Sequence, residues 1–400
     1  MAASAPAPAS IALCVLGMHR SGTSAVARVV NLLGADLGTD LLPPSVDNPR
    51  GFWEQRKIVA AHGDLLESLG SYFDDFLPLP QGWQNRPEIA PHKQRLFSIL
   101  HQQFDGNPLW AVKDPRICRL LPLWHDLLAE YPADPRFVLV LRNPDEIARS
   151  LAVRNGYAFN KSLLLTLSHV LEAERHTRGQ KRIIVTFDQL LGDWRATMEN
   201  VAAALHIRWP NSIQSVAAAV AEFLDPRLRH HQSQRATTAD EAIAAHHADP
   251  AIAHWTWKVH NLLASGANTA EIDAINAEFT AALPRLSAWR QLRSIDQQYM
   301  KIEAWGVGLN SEVQRLARDN DALRLELARR TAGAVASPEI TAIEQIAAAS
   351  AKDVETLRQA VAQRDAKIAE LETRLRQIDL AQQWQAASKN ASGAKNAGGA

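Results

Sequence analysis

Short apolar runs alternate with amphipathic segments through the first half of the chain. The runs are rich in β-branched and large apolar side chains, which predicts four β-strands, at residues 11–16, 109–112, 137–141 and 182–187. Between them, apolar residues recur with helical periodicity at residues 24–33, 55–69, 120–130, 145–153, 163–175 and 194–205. Strands that alternate with helices indicate an α/β fold, a parallel sheet with flanking helices. Ligands of such sheets bind at the carboxyl ends of the strands.

Two proline-rich segments interrupt this alternation. Residues 42–50 and 77–91 each follow a predicted helix and are expected to be irregular. Long irregular loops in compact domains are often functional. We therefore expect both segments to form walls of a ligand site.

The pattern changes again in the second half of the chain. Residues 227–250 are polar and rich in histidine, and residues 251–294 have a helical pattern. Apolar residues at heptad spacing then run from Ile302 to Leu327 and, after a break, from Ile340 to Ile378. Sustained heptad spacing predicts a coiled coil, hence a homo-oligomer, and Asn320 at a core position would fix its register. The alternative is an amphipathic helix that folds back on its own domain.

Composition and charge exclude several classes of protein. The chain has 400 residues, a formal net charge of zero and no basic block, which argues against a general nucleic-acid or membrane-surface binder. The chain has only two cysteines, Cys14 and Cys118, so disulfide bonds are not expected to stabilise a chain of this size. This favours a reducing, cytoplasmic location. No apolar stretch is long enough for a membrane span. Histidine pairs at 230–231 and 246–247 lack ligand spacing, so we expect no metal.

A glycine-containing loop follows the first predicted strand and opens a helix. Gly17 and Gly22 have the G-x-x-x-x-G spacing of nucleotide-binding P-loops, whose backbone N–H groups form a nest for an anion. Thr23 stands where a nucleoside triphosphatase has its lysine, and the loop's cation is Arg20. Because a triphosphatase needs that lysine together with a Mg²⁺ carboxylate, the loop favours a different anion.

A second anion signal lies at the end of the third predicted strand. Arg142 ends the strand, and Ser150 lies eight positions later on a helix that Asn143 and Pro144 begin. Such an arginine and serine can converge on a phosphate. A third segment reads Lys113-Asp114-Pro115 at the end of the second predicted strand. Asp114 either orients Lys113 or serves as a turn residue.

These motifs together resemble the sulfotransferases that use 3′-phosphoadenosine 5′-phosphosulfate (PAPS). The resemblance covers about residues 11–210 and is closest to bacterial sulfotransferase-like proteins with GMHRSGTS, NPRGFWE, KDPR and VLRNP motifs. It implies a P-loop-like fold and a domain that transfers a sulfuryl group from PAPS to a hydroxyl without a metal.

The resemblance also implies roles for individual residues. Arg142 and Ser150 would hold the 3′-phosphate, while Lys113, which matches a lysine of tyrosylprotein sulfotransferases, would contact the bridging oxygen of the leaving phosphate. Arg20 would stabilise the developing charge with Lys113. The loop that would hold the phosphosulfate comprises His19, Arg20, Ser21, Gly22, Thr23 and Ser24.

The catalytic base and the acceptor are less closely defined. An acceptor hydroxyl needs a positioned base, and Glu54 of the NPRGFWE motif is our candidate, although its spacing is longer than in the tyrosylprotein enzymes. His19 and His62 are the alternatives. Loops that contain Trp and His suit the faces of sugars, which favours a saccharide or glycoconjugate acceptor.

The sequence therefore predicts five regions. They are a disordered N-terminus (1–10), a sulfotransferase domain (11–225), a helical extension and linker (226–298), a coiled coil (299–385) and a disordered tail (386–400). Two other functions stay open. One is a P-loop nucleotide kinase or hydrolase, and the other is a non-catalytic coiled-coil scaffold that carries a degenerate nucleotide-binding fold.

Overall fold

The computed structural model describes residues 10–45, 48–224, 235–266 and 269–286, with scattered helical residues between 314 and 366. The chain divides into two compact units, Met1–Ala281 and Ala282–Ala400. Most of the predicted coiled coil and the whole predicted tail lie outside the described residues, so both stay predictions.

A four-stranded parallel sheet forms the centre of the first unit. Its strands are β1 (Ser10–Leu16), β2 (Leu109–Lys113), β3 (Ala133–Leu141) and β4 (Arg182–Thr186), in the order β2-β1-β3-β4. In the register of the sheet, Cys14 of β1 lies opposite Val112 on one side and Phe137 on the other. Most side chains of β1, β2 and β3 are buried, which explains their continuous apolar runs, whereas those of β4 are mostly half-buried.

Helices cover the sheet and extend beyond it. They are α1 (Thr23–Leu32), α2 (Arg56–Ser68), α3 (Ala90–Phe104), α4 (Ile117–Glu130), α5 (Pro144–Asn155), α6 (Phe159–Thr177), α7 (Phe187–Gly192), α8 (Trp194–Leu205), α9 (Ile213–Phe223), α10 (Ala239–His246), α11 (Pro250–Ala264) and α12 (Thr269–Leu286). Two 3₁₀ turns, Trp83–Asn85 and Pro87–Ile89, precede α3. The helix α8 packs on β3 and β4, and α11 packs on α6.

The fold class predicted from the sequence is confirmed: this is an α/β unit with a parallel sheet flanked by helices. All four predicted strands and all six predicted helices are present, with ends that differ by a few residues. The prediction missed α3, whose start lies in a segment interpreted as irregular. Pro91 lies in the first turn of that helix, where a missing backbone N–H costs nothing, so the proline marks a helix start.

The order of the strands determines where a ligand can bind. From β1 the chain passes to β2 on one side of β1, and then crosses to β3 on the other side. The segments that leave β1 and β3 therefore diverge at their carboxyl ends, and this divergence opens the crevice in which doubly wound sheets bind ligands.

The helices α10 and α11 belong to the same compact unit as the sheet. The helix α10 packs on α11, and α11 touches α5, α6 and β4. The domain boundary at 225/226 remains a prediction. Within the described ranges, no helix is sufficiently long and apolar to cross a bilayer.

Candidate functional site

A cleft of about 880 Å³ lies at the carboxyl end of the sheet. All four strands contribute to it at their carboxyl ends: the loop after β1, Lys113 at the end of β2 with Pro115 beyond it, Arg142 after β3, and Phe187 after β4. Part of the first proline-rich segment, Asn48–Arg50, forms another wall. Residues of the second such segment do not contribute to the described lining. Of the two walls expected from the sequence, only the first is therefore found here.

The loop after β1 closes on itself and leaves no room for side chains at its two glycines. Gly17 has φ +146°, and a β-carbon there would lie 2.7 Å from the Val140 carbonyl oxygen. Gly22 has φ +96°, and a β-carbon there would collide with the Phe187 ring. Arg20 also has a positive φ of 70°, a left-handed conformation that is strained for a residue other than glycine. The loop thus holds a conformation that is specified by its glycines.

The first turn of α1 lines the cleft with Thr23, Ser24 and Ala25, and its backbone N–H groups lie at this end of the helix. Gly22 is the N-cap and provides no side-chain cap for them. Uncapped N–H groups and the positive end of the helix dipole together favour an anion.

Arg20, Ser150 and Arg142 come together at this loop although they are far apart in the sequence. The Arg20 Nε–H donates to Ser150 Oγ at 2.7 Å. Arg142 Nη1 donates to the Arg20 carbonyl at 2.9 Å, and its guanidinium lies 4.8 Å from the centre of the Phe187 ring. The two anion-binding motifs found in the sequence are therefore one cluster.

Lys113 and Glu54 form a buried ion pair in the cleft wall. The ammonium group donates to Glu54 Oε1, to Ser24 Oγ at 3.1 Å and to the Phe52 carbonyl at 3.0 Å. These three acceptors match the three N–H groups of an ammonium. Burial raises the pKa of Glu54, while the charge of Lys113 opposes this rise and that of Asp114 adds to it.

Asp114 and His62 lie behind this pair, in the core. Asp114 accepts hydrogen bonds from the backbone N–H and Nη1 of Arg116, at 3.0 and 2.9 Å, and lies 2.8 Å from His62 Nδ1. Trp124 Nε1 donates to His62 Nε2 at 3.0 Å, so His62 carries its proton on Nδ1 and donates it to Asp114. Burial disfavours the Asp114 carboxylate, but Arg116 and His62 outweigh it and hold the pKa of Asp114 well below its usual range.

His19 faces the cleft from the loop. Burial, together with the charges of Arg116 and Arg154, holds the pKa of His19 well below its usual value, so the ring is neutral. Its Nε2 is buried and has no hydrogen-bond partner among the described residues. A neutral imidazole with an unmatched nitrogen is suited to a polar ligand group.

The structure brings nearly all of the predicted site residues to one cleft. The described lining includes His19, Arg20, Gly22, Thr23, Ser24, Glu54, Lys113, Arg142 and Ser150. Ser21 is the exception, because its side chain lies behind the loop and its backbone N–H donates to the Met18 carbonyl at 3.1 Å. His62, an alternative base, is also away from the lining, and both of its nitrogens are occupied.

Several lining residues were missed by sequence reasoning. Phe187 directly follows β4, so the rule that ligands meet the carboxyl ends of strands could have found it. Arg154 lies one helical turn after Ser150 on α5, where it gave no motif signal. Phe223 and Leu224 reach the cleft from the end of α9, a helix that the sequence analysis did not predict.

The chemistry of the lining fits an anionic ligand. Five arginine or lysine side chains line the described cleft against one carboxylate, that of Glu54. The tight glycine loop and the uncapped N–H groups of α1 add a nest that a phosphate or sulfate oxygen can enter. Among the described residues, no group of three His, Cys, Asp or Glu is arranged to hold a metal ion.

Comparison with known proteins gives structural similarity and no match at the level of sequence. No family model matches the chain, and no curated protein sequence does. Among solved structures, the chain is similar to the sulfotransferase domain from the curacin biosynthetic pathway, with 13% identity and a TM-score of 0.33 over 68% of this chain and 98% of that domain. The functional assignment must therefore come from the chain's own residues.

Proposed function

We propose that the first unit is a PAPS-dependent sulfotransferase that transfers a sulfuryl group to an acceptor hydroxyl. The observation that supports this most strongly is the convergence of Arg20, Ser150 and Arg142 at the carboxyl end of the sheet. A P-loop triphosphatase would hold its phosphates with a lysine at the position of Thr23. Here the loop's cation is instead an arginine, which lies against a serine of the neighbouring anion motif.

The donor is proposed to occupy the cationic part of the cleft. Arg142 and Ser150 would bind its 3′-phosphate, and Arg20 with the N–H groups of Gly22, Thr23 and Ser24 would bind its phosphosulfate. His19 would offer its unmatched nitrogen at the same place. When bound, PAPS supplies an activated sulfuryl group. The chain's own contribution is to hold and orient it with fixed charges and dipoles.

Glu54 and Lys113 are proposed to act on opposite sides of the transfer. Glu54 would accept the proton of the acceptor hydroxyl, because it is the carboxylate in the described lining and its raised pKa makes it a stronger base than an ordinary carboxylate. Lys113 would exchange one of its three present acceptors for the leaving phosphate oxygen. Arg20 would share the stabilisation of that negative charge.

The acceptor and the setting are proposed from the sequence. A saccharide or glycoconjugate hydroxyl in the cytoplasm is our proposed acceptor, and the heptad region is proposed to join copies of the chain. Labelled PAPS offered with panels of saccharides, glycolipids and tyrosyl peptides tests the acceptor. Transfer to the peptides alone would contradict the proposed class.

Calorimetry with adenosine 3′,5′-bisphosphate tests the proposed function. Arg20→Ala and Arg142→Ala should each weaken binding by about 1.5–3 kcal/mol, the usual contribution of a charge-assisted hydrogen bond. Arg175→Ala is the matched control, because Arg175 pairs with Glu172 on the outside of α6 and does not line the cleft. ATP with Mg²⁺ should bind more weakly than the bisphosphate. Unchanged affinity in both cleft variants, or tighter binding of ATP, would refute the proposal.

A further inference from the structure

The turn that begins α5 is bound at three positions by a segment from far along the chain. Asn143 Nδ2 donates to the Ala236 carbonyl at 3.0 Å. His246 Nε2 lies 2.7 Å from Asp145 Oδ1, and Arg235 Nη1 donates to Glu146 Oε1 at 2.8 Å. This segment, the clamp (residues 235–246), lies after the boundary predicted at 225. It holds the turn that carries Arg142 at one end and leads into the helix of Ser150.

Glu146 is the centre of these contacts. Its side chain is fully buried, and each of its two oxygens accepts a hydrogen bond from a different arginine. Arg142 Nε donates to Oε2 at 2.6 Å, and Arg235 Nη1 donates to Oε1 at 2.8 Å. Arg235 also lies 3.2 Å from Asp188. A carboxylate of this kind fixes the orientation of a guanidinium, because the planar groups meet in a defined geometry.

Three contacts together therefore hold the guanidinium of Arg142. Its Nε is fixed by Glu146, its Nη1 by the Arg20 carbonyl, and one face by the Phe187 ring. The contact with Glu146 in turn depends on Arg235, because a buried carboxylate that loses a paired cation is less well compensated.

We propose that Glu146 and Arg235 are positioning residues that aim Arg142 at the 3′-phosphate of the nucleotide, so that the clamp is part of the donor site. The proposal rests on the proposed function, since it takes the nucleotide to be a 3′-phosphorylated adenosine. The segment classed from the sequence as an extension is then required for the recognition of the donor.

A positioning role and a purely electrostatic role predict opposite results. Glu146 is a negative charge next to an anion site. If it acts only through electrostatic repulsion of the phosphate, its neutralisation should strengthen phosphate binding. If Glu146 instead orients Arg142, its replacement should weaken binding despite the gain in positive charge. The sign of the change therefore distinguishes the two roles.

Isothermal calorimetry of Glu146→Gln with two nucleotides tests the proposal on the full chain. Affinity for adenosine 3′,5′-bisphosphate should fall about tenfold or more, the loss expected when one charge-assisted contact is misaligned. Affinity for adenosine 5′-monophosphate, which lacks the 3′-phosphate, should change less than twofold. A general loss of structure would weaken both nucleotides equally, and a field effect would strengthen the bisphosphate. Either outcome would overturn the proposal.

Arg235→Gln provides a second test if Glu146→Gln fails to fold. Arg235 is partly exposed, so its replacement leaves the core intact, and it should lower bisphosphate affinity in the same selective way. Glu172→Gln is the matched control: it makes the same chemical change at a carboxylate paired with Arg175 and His176, and it should affect neither nucleotide. Wild-type protein that fails to bind the bisphosphate would refute the proposed function itself. Wild-type binding with equal losses for both nucleotides would refute only this inference.

Discussion

Lys113 and Glu54 occupy one wall of the cleft, and each alters what the other can do. The sequence could indicate both residues, because each lies in a short motif, but it could not show that they touch across 59 positions. The ammonium lowers the pKa of a carboxylate that burial raises. The strength of the proposed base is therefore set by a contact that exists only in the folded chain.

Glu54→Gln should reduce turnover by about 10²–10⁴, the usual contribution of general base catalysis. The amide keeps the shape of the side chain but cannot accept the proton. Affinity for adenosine 3′,5′-bisphosphate should hardly change, because Glu54 is proposed to face the acceptor. Steady-state kinetics and calorimetry on the same preparation separate the two effects. Near-normal turnover in this variant, with an inactive His19→Ala, would assign the base to His19.

The pH profile provides an independent test of the same pair. Glu54 acts only as a carboxylate, and its pKa is raised, so turnover should fall on the acid side at a pH above the ordinary carboxyl value of about 4.3. Lys113→Met removes the charge that opposes this rise, so the acid limb of the residual activity should move to still higher pH. An acid limb that stays in place would contradict the assignment of Glu54.

Asp114 should contribute to stability rather than to proton transfer. Asp114→Asn leaves His62 and Arg116 without a carboxylate in the core, which should cost about 3 kcal/mol at neutral pH. Because the folded-state pKa of Asp114 is depressed, this contribution is present above the unfolded value of about 3.9 and is lost as the pH falls below it. Urea unfolding of both proteins at pH 7 and pH 3 should therefore show a smaller difference at pH 3.

Asp64→Asn serves as the control for this measurement. Asp64 pairs with Arg95 at the surface, and about half of each side chain is exposed. Such pairs contribute about 0–1 kcal/mol. An effect of Asp114→Asn as small as that of Asp64→Asn would show that the buried cluster is not stabilising.

At the scale of elements, the sequence predicted the sheet better than the helices around it. Residues 12–16 of β1 and 137–141 of β3 are buried, so each stretch appears as an unbroken apolar run. The helix α9 has only Val216 and Val220 as buried residues, and alanines fill four of its nine other positions. Two buried residues one turn apart are too few to show helical periodicity. The pattern of apolar residues therefore could not identify this helix.

The loop between β1 and α1 gives a prediction about a single backbone position. Gly22→Ala forces an L-residue into a positive φ and drives its β-carbon into the Phe187 ring. We expect it to destabilise the protein by more than the roughly 1–2 kcal/mol of backbone strain alone, and to reduce bisphosphate affinity. Thermal unfolding with and without the nucleotide measures both effects.

Gly156→Ala is the matched control for that loop. Gly156 has a positive φ of 67° at the end of α5, but no atom lies within 4 Å of a β-carbon placed there. It should therefore show the backbone strain without the collision. Equal losses of stability in the two variants would mean that the Phe187 ring moves aside at no cost. The packing of this ring would then not hold the loop in place.

At the scale of the whole molecule, the residues that hold the site together come from distant parts of the chain. The Arg235–Glu146 and His246–Asp145 contacts join residues 89 and 101 positions apart. The sequence showed His246 only as half of a histidine pair without ligand spacing, whereas in the structure it stacks on Phe159 with ring centroids 4.2 Å apart. No periodicity or motif encodes such pairs, so the sequence showed the two anion motifs but not the segment that supports one of them.

The heptad pattern leads to a prediction about assembly. Full-length protein should form a homo-oligomer, and a chain that ends at Leu286 should be monomeric and still bind the bisphosphate. Asn320→Leu should change the number of copies without abolishing association, because a buried polar residue specifies coiled-coil register. Multi-angle light scattering measures all three proteins. A full-length monomer at micromolar concentration would contradict the interpretation of a coiled coil.

The two buried thiols report how often different parts of the protein open to solvent. Cys118 Sγ accepts the Gly17 N–H at 3.1 Å, and burial raises the pKa of the thiol to about 12, so almost no thiolate exists at neutral pH. An alkylating reagent can therefore react with Cys118 only while the loop and α4 are apart. Cys14 lies inside β1, and burial raises the pKa of its thiol to about 12 as well. It can react with the reagent only when the strands of the sheet separate. The ratio of the two alkylation rates thus compares local opening of the loop after β1 with unfolding of the sheet. No engineered cysteine is needed for this measurement.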